Sequence, residues 1–390
     1  RLLAGGFDTM CLEAADRIGG RAHTDSTIFG QPFDMGARWL HNGPVNPFIG
    51  IGKSLGFDMY LMPYHGHTKG DDPSGAELWA EADRFSTRLR SAADAGQDIP
   101  AATLFTDTDP WSKTAAMMTA LLMGRDLHEV STADWGIGTV EENWFCREGF
   151  GTLVARQAAD VPVSLNTRVS AISYKNGGVR IDTDKGSLSA RAVIVTVSQG
   201  VLAAGNIRFD PALNNDRLQA LDGVTMGRYN HVALQFPPAT IPVKDDAWVT
   251  YPVRDMQDGS FQGGAFHCNI GGTGMCSFEH AGAFADALEA EGEQTAIGFA
   301  LDRLVDVFGT GIRKTFVNGH ATQWGRNPFT CGAYSGALPG QAHLRTSLRR
   351  PHTEHIHFAG EAMHPDEPAT VSGAHKEGLR AAQDVSRLLS

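Results

Sequence analysis

The sequence has little cysteine, no long apolar run and no excess of positive charge, and each shortage narrows what the protein can be. The five cysteines (Cys11, Cys146, Cys268, Cys276, Cys331) are odd in number and show no C-x-x-C spacing. A disulfide framework is therefore not expected, and a reducing compartment, the cytoplasm, is the default, with the periplasm as the alternative. Cys268 and Cys276 lie near His267 and His280, but the spacing fits no zinc pattern. Two buried thiols on paired strands are expected there, and no metal. No apolar stretch approaches the ~20 residues of a membrane-spanning helix, and no signal peptide is visible. A formal net charge of −11 argues against a nucleic-acid partner and favours small cationic substrates. What is present is an ordinary globular composition, 42% hydrophobic and 20% charged, in 390 residues, long enough for two or more domains.

The most informative stretch runs from Phe7 to Arg21. Thr9 to Leu12 reads as a short strand ending on Glu13. An acidic side chain at the tip of the second strand of a βαβ unit is placed to accept hydrogen bonds from the ribose hydroxyls of an adenine dinucleotide. Gly19 and Gly20 let backbone amides approach an anion, and Arg17 and Arg21 can neutralise a pyrophosphate. The plainer alternative is a strand, a loop and two solvated arginines. A dinucleotide fingerprint expects G-x-G-x-x-G roughly 20 residues before the acidic residue. Only twelve residues precede Glu13, and Arg1 to Gly6 read as the last turn of a helix with a glycine cap. The sequence is thus expected to start inside the first helix, without the first strand and phosphate loop.

Further along, Phe33 to His41 places Gly36-Ala37 ahead of Arg38 and Trp39, which suits a backbone pressed against a flat ligand. Residues 44–62 read as a helix leading to a strand. Glu77 to Ala93 and Pro110 to Leu127 read as helices, the second carrying Met117, Met118, Leu121, Leu122 and Met123 as core or as the lining of an apolar channel. Val161 to Leu165, Val169 to Lys175, Val179 to Thr183 and Ser187 to Ala190 alternate like an antiparallel meander. Ala192 to Val197 is a continuous apolar run suited to a strand buried on both faces. Strands are expected at Tyr229 to Phe236, Trp248 to Val253, Gln262 to Ile270 and Lys314 to His320, with a helix from Ala283 to Phe308. His355 to Glu361 reads as a strand ending on Gly360-Glu361, and Thr370-Val371 open a helix running to Leu389. The unpaired amides at that helix start would stabilise an anionic ring edge; an N-capped surface helix is the alternative.

Together these segments resemble the FAD-dependent amine oxidases: monoamine oxidases, polyamine oxidases and the lysine-specific histone demethylase type. The matching pieces are Glu13 with Arg17-x-Gly19-Gly20-Arg21, Asp34-x-Gly36-Ala37-x-Trp39-x-His41, Val193 to Val197, Trp324 with Gly332-x-Tyr334-Ser335, Phe358-Ala359-Gly360-Glu361, and Pro368-Ala369-Thr370-Val371-x-Gly373-Ala374. The resemblance implies an α/β fold: a Rossmann-like FAD-binding domain built from residues 1–62, 145–212 and 326–390, and an α+β substrate domain from 63–144 and 213–325. It implies Glu13 on the adenosine ribose, Arg21 near the pyrophosphate and Val169 at the adenine. Ala37, Arg38 and Trp39 would lie near the isoalloxazine, Glu361 on the ribityl-phosphate side and Val371 at the pyrimidine edge.

Departures from the family pattern are specific. Members with a covalent flavin carry cysteine immediately before the tyrosine matching Tyr334; here that residue is Ala333, so non-covalent FAD is expected. Tyr334 matches one of two tyrosines that frame the amine in monoamine oxidases, and the other position falls on Thr370, a half-open cage suited to longer or bulkier amines. Where most members hold a water at flavin N5 with a lysine, this chain has His231. The resemblance implies oxidation of a primary or secondary amine against walls such as Tyr334 and Trp324, with O2 or another acceptor reoxidising the flavin. A same-fold desaturase or dehydrogenase acting on a non-amine, and a non-catalytic member, are the alternatives.

Overall fold

The computed structural model describes residues 1–63, 66–68, 74–137, 142–175 and 177–390. The parts of the expected domain segments at 64–65, 69–73, 138–141 and 176 lie outside the described residues.

Short strands that lie far apart in sequence pair in parallel. Cys11–Leu12 pairs with Val163–Ser164, and Val193–Val195 pairs with Ile356–Phe358. The expected strand at 161–165 is thus the partner of the Glu13 strand and not the start of the meander. The meander is Val169–Lys175, Gly178–Thr183 and Gly186–Ala190, with Arg208–Asp210 added in parallel on its outer side. Val193 and Ile194 are only partly covered, so that strand is not buried on both faces as its apolar run suggests. Arg1 to Gly6 form a helical turn, Leu3–Gly5, closed by Gly6 in the left-handed region.

The second half of the molecule is built on a six-stranded sheet in the order Asn318–Ala321, Tyr229–Gln235, Met275–Ala281, Ala265–Cys268, Ala247–Thr250, Gly66–Thr68. Side chains alternate across a strand, and here the alternation separates two chemistries. Val232, Leu234, Cys276, Phe278, Phe266, Cys268, Ala247 and Val249 belong to one apolar core together with Leu288, Ile297, Leu301 and Leu304 from the helices Gly282–Glu291 and Glu293–Phe308. The opposite face carries Tyr229, His231, Ser277, Glu279, His267 and Trp248, which the registers set side by side. The two thiols therefore sit on paired strands, as expected, and among the described residues no cluster of His, Cys, Asp and Glu is arranged to hold a metal.

Glycines set the helix boundaries that apolar periodicity missed. The expected helix 283–308 is two helices, broken at Gly292 with φ 97°. The expected helix 110–127 is Ser112–Met123, closed by Gly124 at φ 63°, with the Arg125 amide bonding back to the Ala120 carbonyl. Residues 314–320 hold the end of a 3-10 turn before the strand begins at Asn318. Among the described residues no helix is long and apolar enough to cross a membrane.

The two halves are joined by a buried ion pair. The guanidinium of Arg345 donates to both Asp134 carboxylate oxygens, at 2.5 and 2.9 Å, and the Ala337 amide adds a third bond at 2.8 Å. Burial alone would raise the Asp134 pKa, but the charge and hydrogen bonds of Arg345 outweigh it and hold the carboxyl below its ordinary range. Asp134→Asn leaves a buried guanidinium without its counter-charge, and urea melts should show a loss of about 3–5 kcal/mol. Because the folded pKa lies below the unfolded one, the pair's stabilisation is complete above the unfolded value and disappears as pH falls through the folded value. Acid unfolding of the wild type should therefore be steeper than that of the variant in that range.

Candidate active site

Glu13 ends its strand with its amide on the Ser164 carbonyl (3.0 Å) and its own carbonyl accepting from the Thr167 amide (2.8 Å), two residues before Val169. One carboxylate oxygen accepts from the Ala15 amide at 2.8 Å; the other has no partner among the described residues. Arg17 folds back onto the loop and donates to the Gly20 carbonyl at 2.8 Å, so it braces the turn. Gly19 has φ 96°, and a Cβ there would meet the Ala22 carbonyl at 2.5 Å, whereas a Cβ on Gly20 or Gly360 would point into open space. Arg21 is committed: it donates to Glu361 Oε1 (2.8 Å) and to the Ala333 carbonyl (2.9 Å).

Gly36 is required by close approach. A Cβ there would lie 2.0 Å from the Arg21 carbonyl oxygen and 2.9 Å from the Trp324 ring. Trp324 in turn donates from its indole to the Met35 carbonyl at 2.9 Å. Ala37 and Val371 pack on one apolar cluster with Leu40, Phe48 and Phe150. Thr370 caps the helix Val371–Leu389, accepting from the Gly373 amide and donating to the Glu367 carbonyl, both at 2.9 Å. Its hydroxyl is spent on the cap, so only its methyl remains to meet a substrate. Glu361 takes the Ala369 amide at 2.8 Å just ahead of that cap.

The polar face of the six-stranded sheet supplies the rest. The hydroxyl of Tyr334 donates to the Leu121 carbonyl at 2.8 Å, its ring lies 5.6 Å from Tyr229, and Tyr229 lies 5.2 Å from His231. His231 Nδ1 is 3.0 Å from the Ser277 hydroxyl. Arg38 donates to Glu279 Oε1 at 2.7 Å, and the Tyr229 hydroxyl donates to Glu279 Oε2 at 2.7 Å. Both members of this ion pair are almost fully buried, and the Nε and Nη1 groups of Arg38 have no hydrogen-bond partner among the described residues. Trp39 lies in an aromatic group with Phe145 (4.9 Å), His267 (5.4 Å) and Trp248 (6.0 Å).

Burial, and then these charges, set the protonation states. Burial first, then the neighbouring Arg38, push the His231 pKa well below its ordinary value, so the imidazole is neutral near neutrality. Burial raises Glu279, and Arg38 opposes that rise. Tyr229 and Tyr334 are raised by burial and then by Glu279, and both stay protonated.

The fold therefore brings Gly36 to Trp324, Arg21 to Glu361, Ala37 to Val371, and Tyr334 to His231 through Tyr229. Sequence reasoning missed Tyr229 and Glu279. The available signal was a lone glutamate inside Met275–Ala281, a strand whose seven positions are all buried; such a residue needs a partner. The donor set suits an extended dinucleotide: a carboxylate oxygen for a ribose, open approach at Gly20 and Gly360, and a helix start for an anionic edge.

A rice protein named polyamine oxidase 4 (Oryza sativa subsp. japonica) is 26% identical over 420 residues, covering 98% of this chain and 84% of that protein. The structure of cyclohexylamine oxidase from Brevibacterium oxydans IH-35A superposes with a TM-score of 0.82 at 22% identity, covering 100% of this chain and 95% of the other. Wild-type putrescine oxidase bound to putrescine gives 0.80 at 19% identity, with 99% and 95% covered. A sequence profile described as flavin containing amine oxidoreductase matches residues 1–137 and 77–386, and so the chain belongs to that family, the flavin-dependent amine oxidases.

Proposed function

We propose that this protein oxidises a primary or secondary amine at the carbon next to nitrogen, using non-covalently held FAD. When bound, FAD supplies the acceptor for the hydride lost from that carbon, and the resulting imine hydrolyses in water to an aldehyde or ketone. The observation that carries this reading is the row of Tyr334, Tyr229 and neutral His231 beside the buried Arg38–Glu279 pair. Such a site offers aromatic walls and no strong base, which suits an amine that reacts in its neutral form. Relatives named for polyamines, putrescine and cyclohexylamine support an amine substrate.

In this reading Glu13 holds the ribose, Gly19, Gly20 and Arg21 border the pyrophosphate, and Val169 meets the adenine. Gly36, Ala37, Arg38 and Trp39 flank the isoalloxazine with Trp324, while Gly360, Glu361, Thr370 and Val371 close its other side. Non-covalent attachment is supported by Ala333, and by Cys331, whose backbone and Cβ are packed against Gly200. The FAD-binding domain would comprise 1–62, 145–212 and 326–390, and the substrate domain 63–144 and 213–325. His231 would hold a water for reoxidation of the flavin by O2 or another acceptor.

Three measurements follow. The purified protein should show a flavin absorbance band whose chromophore is released by acid precipitation, and an anaerobic amine should bleach that band. A colourless protein that takes up no FAD would refute the proposal. Tyr334→Ala should lower kcat/KM for the amine about tenfold while the flavin stays bound; loss of flavin instead would make Tyr334 structural. His231→Ala should slow reoxidation by O2 more than it slows anaerobic bleaching, and an equal effect on both would remove His231 from that role.

A further inference from the structure

A second histidine on the polar sheet face has chemistry that the reading above leaves unused. His267 is fully buried in Ala265–Cys268. Its ring lies 5.1 Å from Phe145 and 5.4 Å from Trp39, and Trp248 stands directly opposite on the neighbouring strand. Nε2 is 3.4 Å from Asp246 Oδ1, and neither ring nitrogen has a hydrogen-bond partner among the described residues.

Asp246 is held in place by its surroundings. Its backbone is in the left-handed region at φ 56°, with its amide on the Asn269 carbonyl at 3.1 Å. Oδ1 accepts from the Tyr60 hydroxyl at 3.2 Å and from the Gly271 amide at 2.9 Å. Tyr60, Asp246, Arg147, Lys244 and Asp245 line an open surface pocket of about 500 Å³. Asp246 thus lines an open surface pocket on one side and lies 3.4 Å from a buried imidazole on the other, and that imidazole packs on Trp39.

We propose that His267 and Asp246 form the proton outlet of the active site. This rests on the amine-oxidising reading. A free amine is an ammonium ion near neutrality, but hydride loss needs the lone pair on nitrogen. Arg38 and the buried aromatic walls penalise the ammonium form, so its proton has to leave. An N–H bond of the ammonium breaks with its electron pair kept by nitrogen, and the proton bonds to His267 Nδ1. The proton on Nε2 then passes to Asp246 Oδ1 and from there to water in the pocket. No electrons change hands in these steps.

The charged and titratable groups around the pair are Arg38 on the inner side, and Tyr60, Arg147, Lys244 and Asp245 on the outer side. Burial first, then Arg38, push His267 well below its ordinary pKa, opposed only by the backbone of Asp246, so the ring is neutral and free to accept a proton. Burial raises Asp246, which lets the carboxylate hold a proton in transit. His231 has no comparable exit, since its Nδ1 is bound to Ser277 and no carboxylate among the described residues forms an ion pair with its ring.

The test uses the FAD-loaded protein mixed anaerobically with an amine it oxidises, with bleaching followed across pH. His267→Gln should slow bleaching about a hundredfold near neutrality. The gap should close as pH approaches the amine's own pKa, where the substrate arrives already neutral. Asp246→Asn should show the same shape. A rate loss equal at every pH, or none, would overturn the proposal. Independently of turnover, binding of tert-butylamine, which has no α-hydrogen, is measured by calorimetry in two buffers of different ionisation enthalpy. The wild type should release about one proton per amine bound and His267→Gln markedly less; equal release would overturn the outlet. Proton release by a wild type that no amine bleaches would support the outlet while refuting the oxidation it was inferred to serve.

Discussion

A single buried carboxylate, Glu361, holds the cofactor side of this molecule together. Its two oxygens accept four hydrogen bonds: from Arg21, from the amide and hydroxyl of Ser335, and from the Ala369 amide. Three segments far apart in the chain thus meet at one side chain. Arg345 extends the network by donating to the Ser335 hydroxyl, to the Ala362 carbonyl and to Asp134. Burial would favour the neutral acid, but Arg21 and the other donors hold Glu361 ionised. A buried charge with every lone pair engaged specifies geometry strongly, because each partner left without it would be an unsatisfied polar group.

The substrate side follows a different logic. Period-2 alternation makes one face of the six-stranded sheet an apolar core and leaves Tyr229, His231, Ser277, Glu279 and His267 on the other. Arg38 reaches that face from the turn after Gly36, pairs with Glu279 and places a fixed positive charge beside two histidines. Both imidazoles are neutral for the same pair of reasons, burial and Arg38. Burial, with this charge beside it, therefore favours neutral imidazoles on this face.

Family membership accounts for the motifs at Glu13, Gly36, Trp324, Tyr334 and Glu361, all of which line up within one fold. Between them lie His231, the Arg38–Glu279 ion pair and the His267–Asp246 contact, which set the polarity of the sheet face.

Much of this was legible in the amino-acid order because it depends on local rules. An acidic residue at a strand tip, glycines where no Cβ fits, a threonine at a helix start and an apolar strand ending on Gly360-Glu361 all announce themselves over a few residues. What the order of residues could not supply was the partner of each charge. Arg38 and Glu279 are 241 positions apart, and Glu279 faces the site only because antiparallel pairing sets it opposite His231. His267 meets Asp246 because the strand register carries Ala247 opposite Cys268. The strand at 163–164 was misassigned to the meander for the same reason, since its true neighbour lies about 150 residues earlier in the chain, beside Cys11. Local sequence determined the motifs and their chemistry; long-range strand pairing decided which charges would be buried together, and so which groups stay neutral.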